Sequence, residues 1–389
     1  MSPRLVLFGA GNIGRSFVGQ VFARNGYEVV FVDINERVVR ALNDRTGYDV
    51  VIKHPDGTDE ILPVHGVRGV LATDRDAVAR ELADADLAAT AVGAGALRSV
   101  AALVRDGLAR RMEQRPGSPL DVILAENVRD AASVVGDIVG TGPMVGLVQT
   151  SIGKMVPIVP AETVERDPLL VFAEPYNTLI VDARGFRGPV PDLPEIKAVE
   201  HIDAWVDRKL FLHNLGHAAV AYFGYRTAPE AKTIAEAVTV PEVLAGARNA
   251  MTQSAAALAA AYPESLAERD LIEHRDDLLT RFANRALGDT VFRVGRDLKR
   301  KLARDDRIVG AMLLAANHGV PFDAIARVYA AAVEFGATDE SGRVHPGDDE
   351  VTREYRERGV DAILRDVSGL NPDVDPDRRI VGAVREAIG

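Results

Sequence analysis

Hydrophobic and polar positions change their rhythm near the middle of the chain. The front half alternates short apolar runs with glycine-rich turns and single helical stripes. The back half carries one long stripe of helical period after another. RLVLF at 4–8 reads as a short apolar strand. GAGNIGRSFVGQVFARNG follows it, with Ile13, Phe17, Val18, Val21 and Phe22 on one helical stripe and Gly26 where the helix should stop. EVVFVD then supplies a second strand that ends at Asp33. Residues 50–64 hold two β-like runs around a Pro-Asp-Gly turn, a hairpin excursion. The Ala-, Arg- and Asp-rich stretch 73–85 reads as a solvated helix face. DLAATAVGAGAL at 86–97 is a buried strand entering a glycine loop that contains Val92. LDVILAENVRD at 120–130 repeats that arrangement, with Glu126 and Asn127 at the strand's end. Residues 145–160 suggest one more strand and a crossing toward a second domain. From about 195 onward, helices are predicted over 205–223, 229–238, 240–260, 264–286, 297–317 and 321–335. Further segments at 350–370 and 378–388 read as covering elements, and GDDE (347–350) and PDVDPDRR (372–379) as solvated turns. There is no internal repeat and no low-complexity linker.

Gly9, Gly11 and Gly14 are spaced G-x-G-x-x-G between the first strand and its helix. In that context the first glycine allows a tight turn, the second lets the main chain approach a pyrophosphate, and the third packs helix against strand. The free N–H groups at the helix start, around Ala10, Asn12 and Ile13, would receive the phosphate charge. Asp33, at the end of the second strand, is placed to accept hydrogen bonds from ribose hydroxyls and to repel a 2'-phosphate. This favours NAD over NADP, although Arg37 and Arg40 lie close enough to soften the preference. The alternative is that Asp33 merely ends a strand. Val92, in the loop after the 86–97 strand, falls at the sheet edge where the nicotinamide belongs. The fold class is therefore α/β: an N-terminal Rossmann-type dinucleotide-binding domain over 1–195, and a mostly helical substrate and catalytic domain over 196–389. The substrate is expected where the two domains meet.

Composition narrows the remaining options. The chain has 389 residues, 47% hydrophobic and 26% charged, enough for two domains with sizeable cores. It has no cysteine, which rules out a disulfide scaffold, a thiolate nucleophile and cysteine metal ligands, and fits a reducing, cytoplasmic compartment. No apolar run reaches the roughly 20 residues of a membrane span. The opening MSPRLVLFGAG turns glycine-rich too soon for a signal peptide. A net charge of -11 argues against a general partner among nucleic acids or anionic membranes and leaves a small anionic ligand open.

KLFLHNLGH, 209–217, sets polar groups inside an apolar helical run. On a regular helix His217 lies roughly 80° around from Lys209, and Asn214 roughly 140°. All three can line one side of a cleft. Alcohol oxidation would use such a group: a lysine base with a lowered pKa, an amide for the developing alkoxide, an imidazole to hold the oxygen. The competing reading has Lys209 reaching to the surface, Asn214 bonded to main chain and His217 satisfied in a core. His213 and His217 stand four apart, but HNLGH lacks the glutamate of a zinc helix, so no metal is expected. Asn127 could orient a substrate oxygen or simply cap the next helix.

From 293 to 307 seven basic residues face three acidic ones, a local charge of +4 in an acidic protein. Arg296 and Lys301, then Arg293 and Arg304, are the candidates for a phosphate, against the alternative of a charged helix face with internal ion pairs.

LFGAGNIGRSFVG, the K-x4-N-x2-H spacing of Lys209, Asn214 and His217, and RFANRALGDTVFRVGRDLKRKLARDDR at 281–307 resemble the polyol-specific long-chain dehydrogenases. The last stretch is similar to their mannitol phosphate branch in particular. The resemblance spans nearly the full length and departs at Arg285, where members commonly carry proline. It implies that Lys209 is the catalytic base, that His217 positions the oxygen, and that Asn127 pairs with Asn214 around it. It further implies a metal-independent, NAD-linked and often monomeric enzyme. The implied substrate is a small sugar phosphate, with D-mannitol 1-phosphate oxidised reversibly at carbon 5 to D-fructose 6-phosphate.

Overall fold

A computed structural model describes residues 2–157 and 159–389. The RLVLF run forms β1 (Arg4–Phe8), and its alternation explains the first layer of the fold. Leu5 and Leu7 enter one hydrophobic core, while Val6 and Phe8 enter a second on the opposite face. A strand buried on both faces has no polar positions to alternate, which is why it appears as an uninterrupted apolar run.

After β1 the chain winds through a π-helical segment (Gly14–Gly19) into α1 (Gln20–Arg24), then β2 (Glu28–Asp33) and α2 (Glu36–Arg45). The hairpin expected at 50–64 is β3 (Gly47–Lys53) with β4 (Asp59–His65), after which β5 (Val67–Leu71) rejoins the main sheet. Next come α3 (Arg75–Asp84), β6 (Leu87–Thr90), α4 (Ala94–Gln114), β7 (Leu120–Leu124), α5 (Ala131–Val139) and β8 (Val145–Ser151). The main sheet has the order β5-β2-β1-β6-β7-β8, all parallel. This is the doubly wound dinucleotide-binding order, whose chain reverses direction between β1 and β6. The sequence reading did not separate α6 (Ala161–Arg166), β9 (Val171–Ala173), β10 (Leu179–Asp182) and β11 (Ile196–Val199). β10 extends the sheet antiparallel to β8, β11 follows it, and β9 joins β3 in a small separate sheet.

The chain divides into two compact units, Met1–Val206 and Asp207–Gly389. A short helix, α7 (Ile202–Asp207), ends at that division. In the second unit a π-helical segment (Arg208–Asn214) runs into α8 (Leu215–Thr227), which is buried almost all round. α9 (Ile234–Ala237), α10 (Pro241–Ala261) and α11 (Glu268–Phe282) follow. α10 packs against α8, and Gly216 lets the two approach, because a Cβ there would run into Met251. The helix expected over 297–317 is not continuous. After α12 (Val291–Gly295), it is replaced by α13 (Leu298–Lys301) and α14 (Val309–Asn317). Asp297 takes a left-handed conformation (φ 72°), and Asp348 accepts hydrogen bonds from the N–H groups of Asp297 (2.9 Å) and Leu298 (2.7 Å). A carboxylate some fifty positions away thus starts a new helix in mid-run, which local spacing cannot reveal. α15 (Asp323–Ala332), α16 (Asp348–Arg358), α17 (Val360–Asp366) and α18 (Asp377–Ile388) complete the unit. Among the described residues no helix is long and apolar enough to cross a membrane.

Candidate active site

The first unit builds its share from main chain. Gly9 has φ +95°, and a Cβ on it would strike the carbonyl of Ala91, at the end of the neighbouring β6. A Cβ on Gly14 would strike the carbonyl of Gly9. Both glycines are therefore demanded by packing. Gly11 differs: a Cβ there would meet nothing within 4 Å. Gly11 and Asn12 are exposed, and Ile13 is half-buried. This open shelf at the start of a helix offers N–H groups to an anion.

Side chains hold the shelf in shape. Asp33 accepts from the Ala10 N–H (2.7 Å) and the Asn35 N–H (2.8 Å), one bond on each oxygen. Each oxygen keeps a lone pair for a hydroxyl. Arg15 is buried and donates to the carbonyls of Ala10 (2.6 Å) and Pro168 (2.8 Å). Burial pushes its pKa down, partly offset by nearby negative groups that include Asp33. Glu126, also buried, accepts from the N–H groups of Val92 (2.9 Å) and Gly93 (2.7 Å) and so ties the loop after β6 to the end of β7. Arg15 and Glu126 carry these roles although neither was singled out by the glycine spacing. Asn127 is exposed just past β7. The N-cap position of the helix after it is Asp130, three residues beyond Asn127. A shelf open at Gly11, a carboxylate with spare lone pairs and a tied β6 loop fit a dinucleotide.

The second unit builds its share from half-buried side chains. Lys209 lies in the π-helical segment, whose i→i+5 bonding brings Asn214 closer in angle to Lys209 than a regular helix would. Burial, reinforced by the positive charge of Arg307, lowers the Lys209 pKa to about 8. Asn214 makes no side-chain cap bond to α8, which leaves its amide available. The His217 ring stacks on Phe282 at 4.8 Å with an interplanar angle of 10°, and its Nε2 lies 3.4 Å from Asp289 Oδ2. His213 is buried beside the same Phe282, and burial with neighbouring cations holds its pKa well below the usual imidazole value. Among the described residues, no three His, Asp or Glu side chains are placed to share a cation.

The basic run proves to be mostly internal pairing. Arg304 grips Asp377 with two bonds (2.7 and 2.8 Å), Lys299 pairs with Glu350 (2.6 Å), and Arg300 with Asp297 (2.5 Å). Lys301 turns inward and donates to the carbonyls of Val294 (2.6 Å) and Arg296. Its burial, with Arg307 and Arg300 nearby, lowers its pKa to about 7. Arg293 pairs with Asp289 (2.9 Å). Arg296 rests over the Phe292 ring at 5.7 Å and has no carboxylate partner among the described residues. Arg307 bonds Asp306 through Nε (2.7 Å). Sequence reasoning did not single out Arg307 or Asp289, because their significance comes from contacts with residues far along the chain.

A doubly wound domain with an open glycine shelf, followed by a helical unit bearing a half-buried lysine, an amide and an imidazole, is the layout of a two-domain oxidoreductase. The chain belongs to the mannitol dehydrogenase family: that family's Rossmann domain matches residues 3–195, and its C-terminal domain residues 201–374. It is 33% identical over 377 residues to a mannitol-1-phosphate 5-dehydrogenase of Bacillus licheniformis, covering 94% of this chain and 95% of that one. Its fold is similar to a D-sorbitol dehydrogenase (TM-score 0.77, 17% identity, 100% of this chain and 95% of that one). It is similar as well to Pseudomonas fluorescens mannitol 2-dehydrogenase, solved with NAD and D-mannitol (TM-score 0.74, 14% identity, 100% and 92%).

Proposed function

We propose that this protein catalyses the reversible NAD-linked oxidation of D-mannitol 1-phosphate to D-fructose 6-phosphate. The observation that carries the chemistry is Lys209, half-buried in the helical unit with a pKa lowered to about 8. A lysine in that range is neutral often enough to accept a proton and charged often enough to return it. The relative from Bacillus licheniformis supports the choice of sugar phosphate.

Gly9, Ala10, Gly11, Asn12, Ile13 and Gly14 hold the pyrophosphate of NAD, Asp33 its ribose hydroxyls, and Val92 lies on the nicotinamide side. Bound NAD supplies the hydride acceptor. Neutral Lys209 takes the hydroxyl proton from carbon 5 of the alcohol. Asn214 and Asn127 donate amide N–H groups to the oxygen as negative charge grows on it, and His217 fixes its position. In the reverse direction protonated Lys209 returns the proton to the carbonyl at carbon 2 of the ketose phosphate. Arg296 is the favoured phosphate anchor, since Lys301, Arg304 and Arg293 have structural partners.

A second reading, oxidation of an unphosphorylated polyol or hexuronate, gains weight from how many cations of the basic run are already paired. The test is NADH oxidation with fructose 6-phosphate, fructose and a hexuronate panel, with a chelator present throughout. A kcat/KM for fructose 6-phosphate at least a hundred times that for fructose is expected. Equal efficiencies would sink the phosphate assignment. NADH binding without turnover of any substrate would point to a nucleotide-binding protein with a dead site.

A further inference from the structure

The polar environment of His217 is defined on one side only. Nε2 is buried, and among the described residues its nearest polar contact is Asp289 Oδ2 at 3.4 Å. That is long for a hydrogen bond, so the pair is a close approach that a small ring rotation would complete. No described residue bonds Nδ1, and Nδ1 is not among the buried unpartnered atoms. The ring therefore has one nitrogen turned to a carboxylate and one turned to open space. Phe282, stacked nearly parallel to it, sets the plane of the ring.

Asp289 is held in place before any ligand arrives. Its main-chain carbonyl accepts from the Ile234 N–H (2.9 Å), and Gly288 before it takes φ +67°, a turn a side chain would resist. Its carboxylate is nearly buried, and Arg293 lies 2.9 Å from Oδ1 as an ion pair without hydrogen-bond geometry. Burial raises the carboxyl's pKa, but the contact with His217 and the charge of Arg293 outweigh burial, and the group ends below its ordinary value. The carboxylate is thus ionised and can only accept, and its free oxygen points at Nε2.

We propose that Asp289 is a positioning residue for the reaction: it fixes His217 as the tautomer with the proton on Nε2, so that Nδ1 presents a lone pair to the polyol hydroxyl beside the reacting one, whose own proton is left to Lys209. Arg293 completes the device by holding the other carboxylate oxygen. The proposal rests on the reading of His217 as the group that positions substrate oxygen. It assigns Arg293 a second task beside any contact with phosphate.

The device can be broken without changing its shape. In Asp289→Asn, the Arg293 charge beside one side of the amide draws the amide oxygen there, so the NH2 group faces Nε2. The imidazole must then accept on Nε2 and carry its proton on Nδ1, the wrong tautomer for the substrate. A loss of roughly 100-fold in kcat/KM for the sugar substrate is expected, with the Kd for NADH unchanged. Because Asp289 acts through His217, the same substitution in a His217→Gln background should cost less than about 3-fold. Equal losses in the two backgrounds would show a merely structural role and overturn the proposal. A measurement on the unaltered protein decides the matter even if the variant fails to fold. In 15N spectra of histidine-labelled protein, with the His217→Gln spectrum as assignment, the His217 signals should show a protonated Nε2 and a bare Nδ1. The opposite tautomer would overturn the proposal. That spectrum needs no turnover, so an inactive wild type would sink the proposed reaction and leave the Asp289 result to stand or fall separately.

Discussion

The two units prepare polar groups for a ligand by opposite means. In the first, main-chain N–H groups and carbonyls define the shelf, and the side chains behind it (Asp33, Arg15, Glu126) hold loops in place through main-chain contacts. In the second, the polar groups are side chains, and burial together with neighbouring charge gives them their character: Lys209 near pKa 8, His213 held neutral, Asp289 kept ionised by His217 and Arg293 against its burial. Shape is what the first unit must preserve. Charge state is what the second must preserve. Substitutions in the first should therefore act on binding and stability, and those in the second on rate.

The largest effect should follow from removing the amine. Lys209→Ala is expected to lower kcat by about 10²–10⁴-fold, the usual contribution of a positioned acid or base, while the Kd for NADH stays within about 2-fold. Steady-state kinetics and cofactor fluorescence titration measure the two quantities, and a kcat near wild type would remove Lys209 from the chemistry. The pH dependence sharpens the same point. On the proposed reading neutral lysine is the base, so kcat/KM for polyol oxidation should rise with pH through about 8. Charged lysine is the acid, so ketose reduction should fall through the same range. Profiles that move together in both directions would contradict the assignment.

Glycines of the shelf give an intermediate effect and separate shape from binding. Gly14→Ala forces a methyl against the carbonyl of Gly9 and should destabilise the first unit by about 1–3 kcal/mol, read as a lower Tm. Gly11→Ala meets nothing within the protein and should leave Tm unchanged while weakening NADH binding. If the second variant binds NADH normally, the open side of Gly11 is not where the cofactor comes close.

The same contrast explains what could be read from sequence. Strands β1, β2, β6 and β7 are apolar because both faces are buried, and the G-x-G-x-x-G turn is a local device, so fold class and nucleotide shelf were legible. The spacing of Lys209, Asn214 and His217 was legible for the same reason. Their geometry was not, because the π-helical winding at Arg208–Asn214 departs from the regular period. Partners distant in sequence were hidden as well: Asp289 beside His217, Arg307 near Lys209, Asp348 starting a helix at Leu298. In the run at 293–307 the charge was visible, but its carboxylate partners Glu350 and Asp377 lie far downstream and were not.

That run also supplies the smallest and most discriminating test. Arg304 grips Asp377 with two short bonds but is 41% exposed, whereas the carboxylate it holds is only 5% exposed. Solvent screening limits such a pair, and Asp377 keeps a bond from the Asn371 N–H (2.9 Å) when the arginine is gone. Arg304→Ala should therefore cost about 1 kcal/mol or less of stability and leave the KM for fructose 6-phosphate unchanged. Arg296 has no carboxylate to lose, so Arg296→Ala should leave stability alone and raise that KM, with the KM for NADH untouched. Should Arg304→Ala raise the sugar phosphate KM while Arg296→Ala does not, the paired arginine rather than the unpaired one would be the anchor. Charge in this unit would then serve packing and substrate through the same side chain.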